Sequence, residues 1–345
     1  MRLSKILFKA IDKLTYLPVN PAKEREKLAD VLYVKDIHYS KQYPDLALDI
    51  CYPPKPSGSY PVIMEIHGGG FSAGDKSYRE VLCKYYAKHC GAVVVNVNYG
   101  LGPERVCPVP VQNLVEAVNW VYAHRRKYRL DLSRFIVTGD SAGAYYSCML
   151  SVLQSSPFLQ SLYECSPKVK FSGAVLNCGV YDMPTALNKK MLFNLTSEVF
   201  EDITGTTLNK FGSYAYRDGI SPLSHVTSSF PQTLLIYARK DALCNGQGES
   251  MADKLTQVGV DFEVTYSENF LDNHTYSLMW YSSKAKETNE RILQFMQRHF
   301  QSSPQGNAGG GLPNGSCAKG QAKVGSKGNG SPSQDTESPL CNKVP

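Results

Sequence analysis

Gly139-Asp140-Ser141-Ala142-Gly143 follows the apolar run Phe135-Ile136-Val137-Thr138 and leads into a run of helix-forming residues. The order is strand, tight turn of small residues, then a helix opening near Ala142, the context in which G-x-S-x-G acts as a nucleophile elbow. A serine on a strained turn needs small neighbours, and Gly139 and Gly143 let strand and helix approach. The helix N-terminus sets backbone N–H groups and a positive dipole end beside Ser141, which favours negative charge there. Taken alone the motif is short and also describes an ordinary strand-to-helix turn, so the flanking chain has to agree with it.

It does on both sides. Upstream, Val31–Tyr39 and Leu46–Tyr52 alternate like a strand pair. Pro61–Ile66 reads as a strand running into His67-Gly68-Gly69-Gly70-Phe71, Ser77–Cys90 as a helix, Ala92–Val97 as a fully buried strand and Val111–Tyr128 as a second helix. The elbow strand is expected at 134–138, with its helix reaching about Leu153. Downstream come strands at Phe171–Cys178, Gln232–Tyr237 and Asp261–Tyr266, with helices at Glu249–Val258 and about Ser277–Phe300. This alternation predicts an α/β fold, a mainly parallel sheet covered by helices on both faces with an antiparallel start. Residues 183–220 lack strand rhythm and read as an insertion. From Gln301 onward Gly, Ser, Asn, Pro and Lys dominate, so 301–345 is expected to be a disordered tail and 1–300 the folded body.

Residues 3–14 place Leu3, Ile6, Leu7, Ala10, Ile11 and Leu14 at helical spacing, with Arg2, Lys5, Lys9 and Lys13 on much of the other face. The first reading is a cap helix that buries Ile6, Leu7 and Leu14 against the insertion. The competing one is a basic amphipathic helix lying on a membrane surface.

Composition narrows the function classes. The chain is 42% hydrophobic and 20% charged, with a mild net charge of +6 and no long basic stripe, so nucleic acid is not an expected partner. No apolar run reaches the length of a membrane span. Lys9, Asp12 and Lys13 interrupt any signal-peptide core. The ten cysteines are scattered without a C-x-x-C pair and several sit in core-like patterns, which suggests a reducing, cytoplasmic compartment. No cofactor is implied, and no His/Cys/Asp cluster at ligand spacing implies a metal.

A serine nucleophile needs a base, a group orienting that base, and donors for the oxyanion. On this topology acid and base follow the serine in the order Ser, Asp or Glu, His. Asp241 comes just after the strand Leu234-Leu235-Ile236-Tyr237, and His274 follows the strand ending near Tyr266. His225 precedes Asp241 and breaks the order, while Asp272 is too close in sequence to His274 to orient its ring easily. The glycines after His67 let backbone N–H groups turn into a cavity, so Gly68 and Gly69 with Ala142 are the expected oxyanion donors. A phosphate cradle is the alternative for a glycine loop, but no Lys-Ser/Thr follows in P-loop register.

His-Gly-Gly-Gly-Phe at 67–71, Gly-Asp-Ser-Ala-Gly at 139–143 and Asn98-Tyr99-Gly100-Leu101-Gly102-Pro103-Glu104 together resemble the hormone-sensitive-lipase-like esterases of the α/β-hydrolase superfamily. The resemblance covers roughly residues 45–300. It implies a cofactor-free serine carboxylesterase for short- to medium-chain acyl esters, with a cap built from about residues 1–30 and 183–220. Ser141, Asp241 and His274 match the family's triad, and Gly68, Gly69 and Ala142 its oxyanion positions. Gly100, Gly102, Arg239 and Thr275-Tyr276 depart from the family's usual residues. A carbohydrate acetyl or feruloyl esterase, suggested by Gly74-Asp75-Lys76, and an arylformamidase share the same machinery. A catalytically silent binding protein is the reading from a different class. The expected partner is a small-molecule ester.

Overall fold

The computed structural model describes residues 2–19, 27–55, 57–188, 195–280 and 282–302, without the side chains of 14–19 and 302. Among them eight strands form one sheet in the order β1-β2-β4-β3-β5-β6-β7-β8. β1 (Leu32–His38) and β2 (Ala47–Tyr52) pair antiparallel, and β2 is antiparallel to β4 (Val93–Val97). β3 (Tyr60–Ile66), β5 (Leu130–Asp140), β6 (Gly173–Asn177), β7 (Gln232–Ala238) and β8 (Phe262–Ser267) extend it in parallel. The expected antiparallel start and parallel body are both present.

Every residue of β2, β3, β4 and β6 is buried, whereas the two edge strands keep half-exposed positions. Continuous Val/Ile/Leu runs suit a parallel sheet covered on both faces. Each fully buried Val, Leu or Ile contributes about 1.5–3 kcal/mol. The helices that cover the sheet are α2 (Glu80–Cys90), α3 (Val109–His124), α4 (Ala142–Leu153), α8 (Gln247–Val258) and α9 (Ser283–Ser302). α4 is buried at all of its positions, which is why Ala144, Cys148, Met149, Val152 and Leu153 carry no charge between them.

Several boundaries move. β5 begins at Leu130 rather than 134, because Tyr60 and Pro61 of β3 pair with Leu130 and Asp131. The helix expected from Ser77 opens as a 3-10 turn, Lys76–Arg79, and the last one is a 3-10 turn, Tyr276–Met279, followed by α9. α9 also takes in Gln301 and Ser302, so two residues assigned to the tail are helical. The remainder of the expected tail, 303–345, lies outside the described residues. α5 (Pro157–Leu162), opened by the Ser156 side chain accepting the Leu159 N–H, was not foreseen. The insertion at 183–220 contains α6 (Met183–Leu187) and α7 (Leu195–Thr204), with 189–194 outside the described residues.

The N-terminal helix α1 runs from Leu3 to Val19, longer than expected, and it buries a different face. Ser4, Phe8 and Asp12, spaced by four residues, are buried, whereas Leu3 (42%), Ile6 (45%) and Leu7 (38%) are exposed. The side chain of Leu14 lies outside the described residues. Hydrogen bonds select the contact face: Ser4 Oγ donates to Asp202 Oδ2 at 2.8 Å, the Ser4 N–H to Glu198 Oε2 at 2.8 Å, and Arg2 to Asp202 at 3.0 Å. A carboxylate against the first turn also suits the helix dipole. The apolar stripe Leu3, Ile6, Leu7 therefore turns outward, alongside the exposed Lys9 and Lys13.

Candidate active site

Ser141 sits between β5 and α4 with φ 53° and ψ −117°, a backbone conformation that non-glycine residues rarely hold. The turn is tight because α4 presses on β3: a Cβ at Gly143 would run into the Ile66 carbonyl. The Ser141 N–H donates to Asn177 O at 2.8 Å, tying the elbow to the end of β6.

The end of β7 delivers Asp241 and the loop after β8 delivers His274. His274 Nε2 lies 2.8 Å from Ser141 Oγ, and its Nδ1 lies 2.8 Å from Asp241 Oδ2. Asp241 Oδ1 accepts the Leu243 and Cys244 N–H groups, both at 2.8 Å. Burial pushes the Asp241 carboxyl up, but His274 and these amides hold it below its ordinary value. Burial pulls His274 down, while the charge and hydrogen bond of Asp241, with the charge of Asp140, raise it above its ordinary value.

The two rivals are engaged elsewhere. Asp272 is buried and accepts from Ser267 Oγ at 2.9 Å, and His225 donates to Asp218 O at 2.7 Å and stacks on Phe158. Asn273 staples the loops that carry Asp241 and His274. Its Oδ1 accepts the Ala242 N–H at 2.9 Å and its Nδ2 donates to Lys240 O at 3.0 Å. Thr275 adopts φ 53°, a left-handed conformation, so a residue with a Cβ stands where glycine would be relaxed.

The His67–Gly70 loop follows β3, the neighbour of β5, so glycine loop and elbow lie side by side. Gly69 (φ 126°) borders the cavity beside Ser141, and Gly68 packs against Asp140. The His67 ring stacks on Tyr99 at 4.5 Å, donates through Nδ1 to Gly68 O at 2.7 Å, and its carbonyl accepts from Tyr99 Oη at 2.8 Å. Burial lowers the His67 pKa, which keeps the ring neutral for this structural task.

Two cavities meet at Ser141. One is apolar and bounded by Phe71, Met183, Leu187, Val199 and Ile203. The other, a narrow polar cleft, is bounded by Asp12, Gly69, Arg79, Asp140, His274 and Thr275. Phe8 and Leu243 border both. Arg79 and Asp140 form a buried bidentate pair, Nε to Oδ1 at 2.7 Å and Nη2 to Oδ2 at 2.8 Å. Nothing in the motifs announced that pair, although Asp140 lies inside one of them.

One cluster has ligand-type atoms close together: Cys178, Asp241 and His274 each place one within 4.8 Å of the others. The carboxylate and the ring are bonded to each other, and burial pushes the Cys178 thiol well up, away from the thiolate a metal needs. The donor set fits a His–Asp pair better than a metal centre.

A family model described as the alpha/beta hydrolase fold matches residues 63–274. The probable carboxylic ester hydrolase LipM of Mycobacterium tuberculosis is 27% identical over 244 residues, 70% of this chain and 54% of its own length. Esterase LipI of the same organism is 32% identical over 160 residues, 42% of this chain and 50% of its own. The chain spans about half the length of these curated relatives. Among solved structures, esterase B of Lactobacillus rhamnosis has a TM-score of 0.70 at 20% identity, over 87% of this chain and 97% of that one. Esterase LipW of Mycobacterium marinum has a TM-score of 0.66 at 18% identity, over 86% and 88%. Likeness at such identity speaks for the fold. The family match runs unbroken from β3 to the histidine after β8, over the sheet order described above, and so the chain belongs to the α/β-hydrolase family, in the hormone-sensitive-lipase-like branch that its motifs resemble.

Proposed function

We propose that the protein is a serine carboxylesterase acting on short- to medium-chain acyl esters through an acyl-enzyme. The observation that carries this reading is the relay Ser141 Oγ–His274 Nε2–Asp241, 2.8 Å at each step, at the mouth of an apolar cavity. His274 takes the Ser141 proton as Oγ attacks the ester carbonyl, and Asp241 stabilises the imidazolium. The N–H groups of Gly68, Gly69 and Ala142 hold the oxyanion. His274 then protonates the departing alkoxide, and water releases the acyl group by the same route. Relatives named as carboxylic ester hydrolase and esterase support the reaction class. Labelling of Ser141 by a fluorophosphonate, with turnover of 4-nitrophenyl esters from acetate to palmitate, tests the reading. No labelling and no turnover would leave a silent binding protein.

Gly74-Asp75-Lys76, the segment that suggested the carbohydrate-esterase alternative, has structural contacts. Asp75 accepts the Ser77 N–H and caps a 3-10 turn, and Lys76 binds Asp36 and Asp49, both at 2.6 Å.

The pH profile follows from the base. His274 acts only when neutral and its pKa is raised, so kcat/KM should fall on the acid side with a midpoint above the ordinary histidine value of about 6.5. Asp241→Asn removes the two largest upward causes, so the residual activity of that variant should keep its acid limb at lower pH. A wild-type midpoint below the ordinary value would contradict the assignment.

We place the catalytic chemistry in residues 2–302 and the protein in a reducing, cytoplasmic setting. The free thiols of Cys51, Cys83, Cys148 and Cys178 suit that setting. No helix among the described residues is long and apolar enough to cross a membrane. The outer face of α1 suits contact with an anionic bilayer surface, since Leu3, Ile6 and Leu7 lie beside Lys9 and Lys13. Salt-sensitive co-sedimentation with phosphatidylserine vesicles, abolished by Ile6→Asp/Leu7→Asp, is the expected result. Unchanged solubility at low salt would show that the stripe serves no membrane.

A further inference from the structure

Acyl transfer needs Ser141 Oγ and His274 Nε2 to stay at hydrogen-bond distance while the proton moves between them, yet they stand on separate segments. The serine rides on the elbow between β5 and α4, and the histidine on the loop after β8, 133 residues further on. One residue at the end of β6 touches both segments. The main-chain carbonyl of Asn177 accepts the Ser141 N–H at 2.8 Å. Its side-chain Nδ2 donates to Ser277 Oγ at 2.8 Å, in the 3-10 turn that follows the base. Building on the esterase reading, we propose that Asn177 is a positioning residue that sets the Ser141–His274 gap through its bond to Ser277.

The path from Ser277 back to the imidazole is short and stiff. The Tyr276 N–H donates to Asn273 O at 3.1 Å and the Leu278 N–H to Thr275 O at 2.9 Å, so residues 273–278 form two overlapping turns around the base. Tyr276 Oη, itself buried, bonds Thr288 Oγ1 at 2.9 Å. Asn289 Nδ2 on α9 donates to Ser277 O at 2.7 Å, so Ser277 is gripped from α9 through its carbonyl and from β6 through its hydroxyl. Thr275 holds its left-handed backbone, φ 53°, inside this frame, against the preference of a residue with a Cβ. Asn177 and Ser277 are both buried, at 6% and 1% exposure, so water does not compete for their bond. The amide also carries a cost. Asn177 Oδ1 is buried and has no hydrogen-bond partner among the described residues. A stranded acceptor destabilises a fold, and an apolar side chain there would avoid it. The use of the amide lies at its other end, where Nδ2 reaches the segment that carries the base. A local breach of polar satisfaction beside a reacting atom is what a functional constraint leaves behind.

The test is a double-mutant cycle read in catalysis. Asn177→Leu keeps the branching of the side chain without its donor, and Ser277→Ala removes a single oxygen. kcat is measured with 4-nitrophenyl butyrate and referred to the sites that a fluorophosphonate labels at completion, so unfolded protein does not count. Each variant should lose roughly tenfold to a hundredfold in kcat, since a misplacement of about 1 Å is enough for that. KM should stay within about twofold of the wild type, because neither residue lines the cavities at Ser141. The double variant should be no slower than the slower single one, as both substitutions remove the same bond. Unchanged kcat in Ser277→Ala overturns the proposal, and that arm does not depend on whether Asn177→Leu folds. Losses that multiply in the double variant overturn it too, because the two residues then act separately. A rise in KM at constant kcat would place them in binding and has the same consequence. A wild type that neither takes the label nor turns over the ester removes the esterase reading, and this proposal with it. A wild type that does both, matched by its variants, removes the positioning role alone.

Discussion

Ser141→Ala is expected to lower kcat by about 10³-fold or more while leaving the melting temperature close to that of the wild type. The hydroxyl is the attacking atom, and its removal leaves only binding and oxyanion donors to act on the ester. The fold should hold because the strained elbow is kept by backbone contacts: the Ser141 N–H to Asn177 O and the Tyr145 N–H to Ser141 O. His274→Ala should be of similar severity, and combining it with Ser141→Ala should cost little more, since residues of one relay act as a unit. Asp241→Asn should also be severe. An amide in that place can donate to the ring nitrogen and so select the wrong tautomer, besides removing the charge that stabilises the imidazolium. His225→Ala and Asp272→Asn are the controls. His225 is held by Asp218 and Phe158, and Asp272 accepts from Ser267, so neither touches Ser141 or the His274 ring in the contacts described. If His225→Ala matched the serine variant in steady-state kinetics, the assignment of the base would be wrong.

What was legible in the sequence was whatever depends on local chain geometry. The apolar runs of β3, β4, β5, β6 and β7 announce buried parallel strands. The order Ser141, Asp241, His274 follows from three strands ending on one side of a sheet. α1 shows where that legibility stops. Its hydrophobic stripe suggested burial of Ile6 and Leu7, yet the helix docks through Ser4, Phe8 and Asp12. The partners that choose this face, Glu198 and Asp202, are almost 200 residues away, and no periodicity encodes them. A cap over the pocket and an apolar outer face were posed as alternatives, and one helix presents both surfaces. Thr275 is a second case. A threonine following the histidine looked like a departure, and its left-handed backbone explains why glycine is the relaxed choice there. The buried charges near Ser141 were illegible for the same reason as the docking of α1. Arg79 and Asp140 are 61 residues apart, and only the pairing of sheet and 3-10 turn brings them together.

That pair supports the second large expectation. Arg79→Met should destabilise the protein by about 3–5 kcal/mol, because it leaves the Asp140 carboxylate buried without its counter-charge. Both side chains are nearly inaccessible, at 5% and 6% exposure, so water cannot take over. The neighbourhood sharpens the effect, since Asp12 and Glu65 lie near enough for Arg79 to lower the pKa of each. The sign of the pH dependence follows. Both acids have folded pKa values raised above their ordinary ones, so the stability they contribute is complete below about pH 4 and is lost as pH rises through about 7 for Asp12 and about 8 for Glu65. Removing the one cation that opposes this trend should make the variant's deficit larger at about pH 8 than at about pH 5, where protonation relieves the crowding. Arg79→Met/Asp140→Leu should regain much of the lost stability, since replacing both partners leaves no stranded charge. Its activity should not return, because Asp140 immediately precedes Ser141 and packs against Gly68, so its loss disturbs both the elbow and the glycine loop. Denaturant unfolding of the wild type, the two single variants and the double variant at both pH values measures the coupling directly. A cost below about 1 kcal/mol for Arg79→Met, equal at both pH values, would mean that the pair is solvated like a surface ion pair.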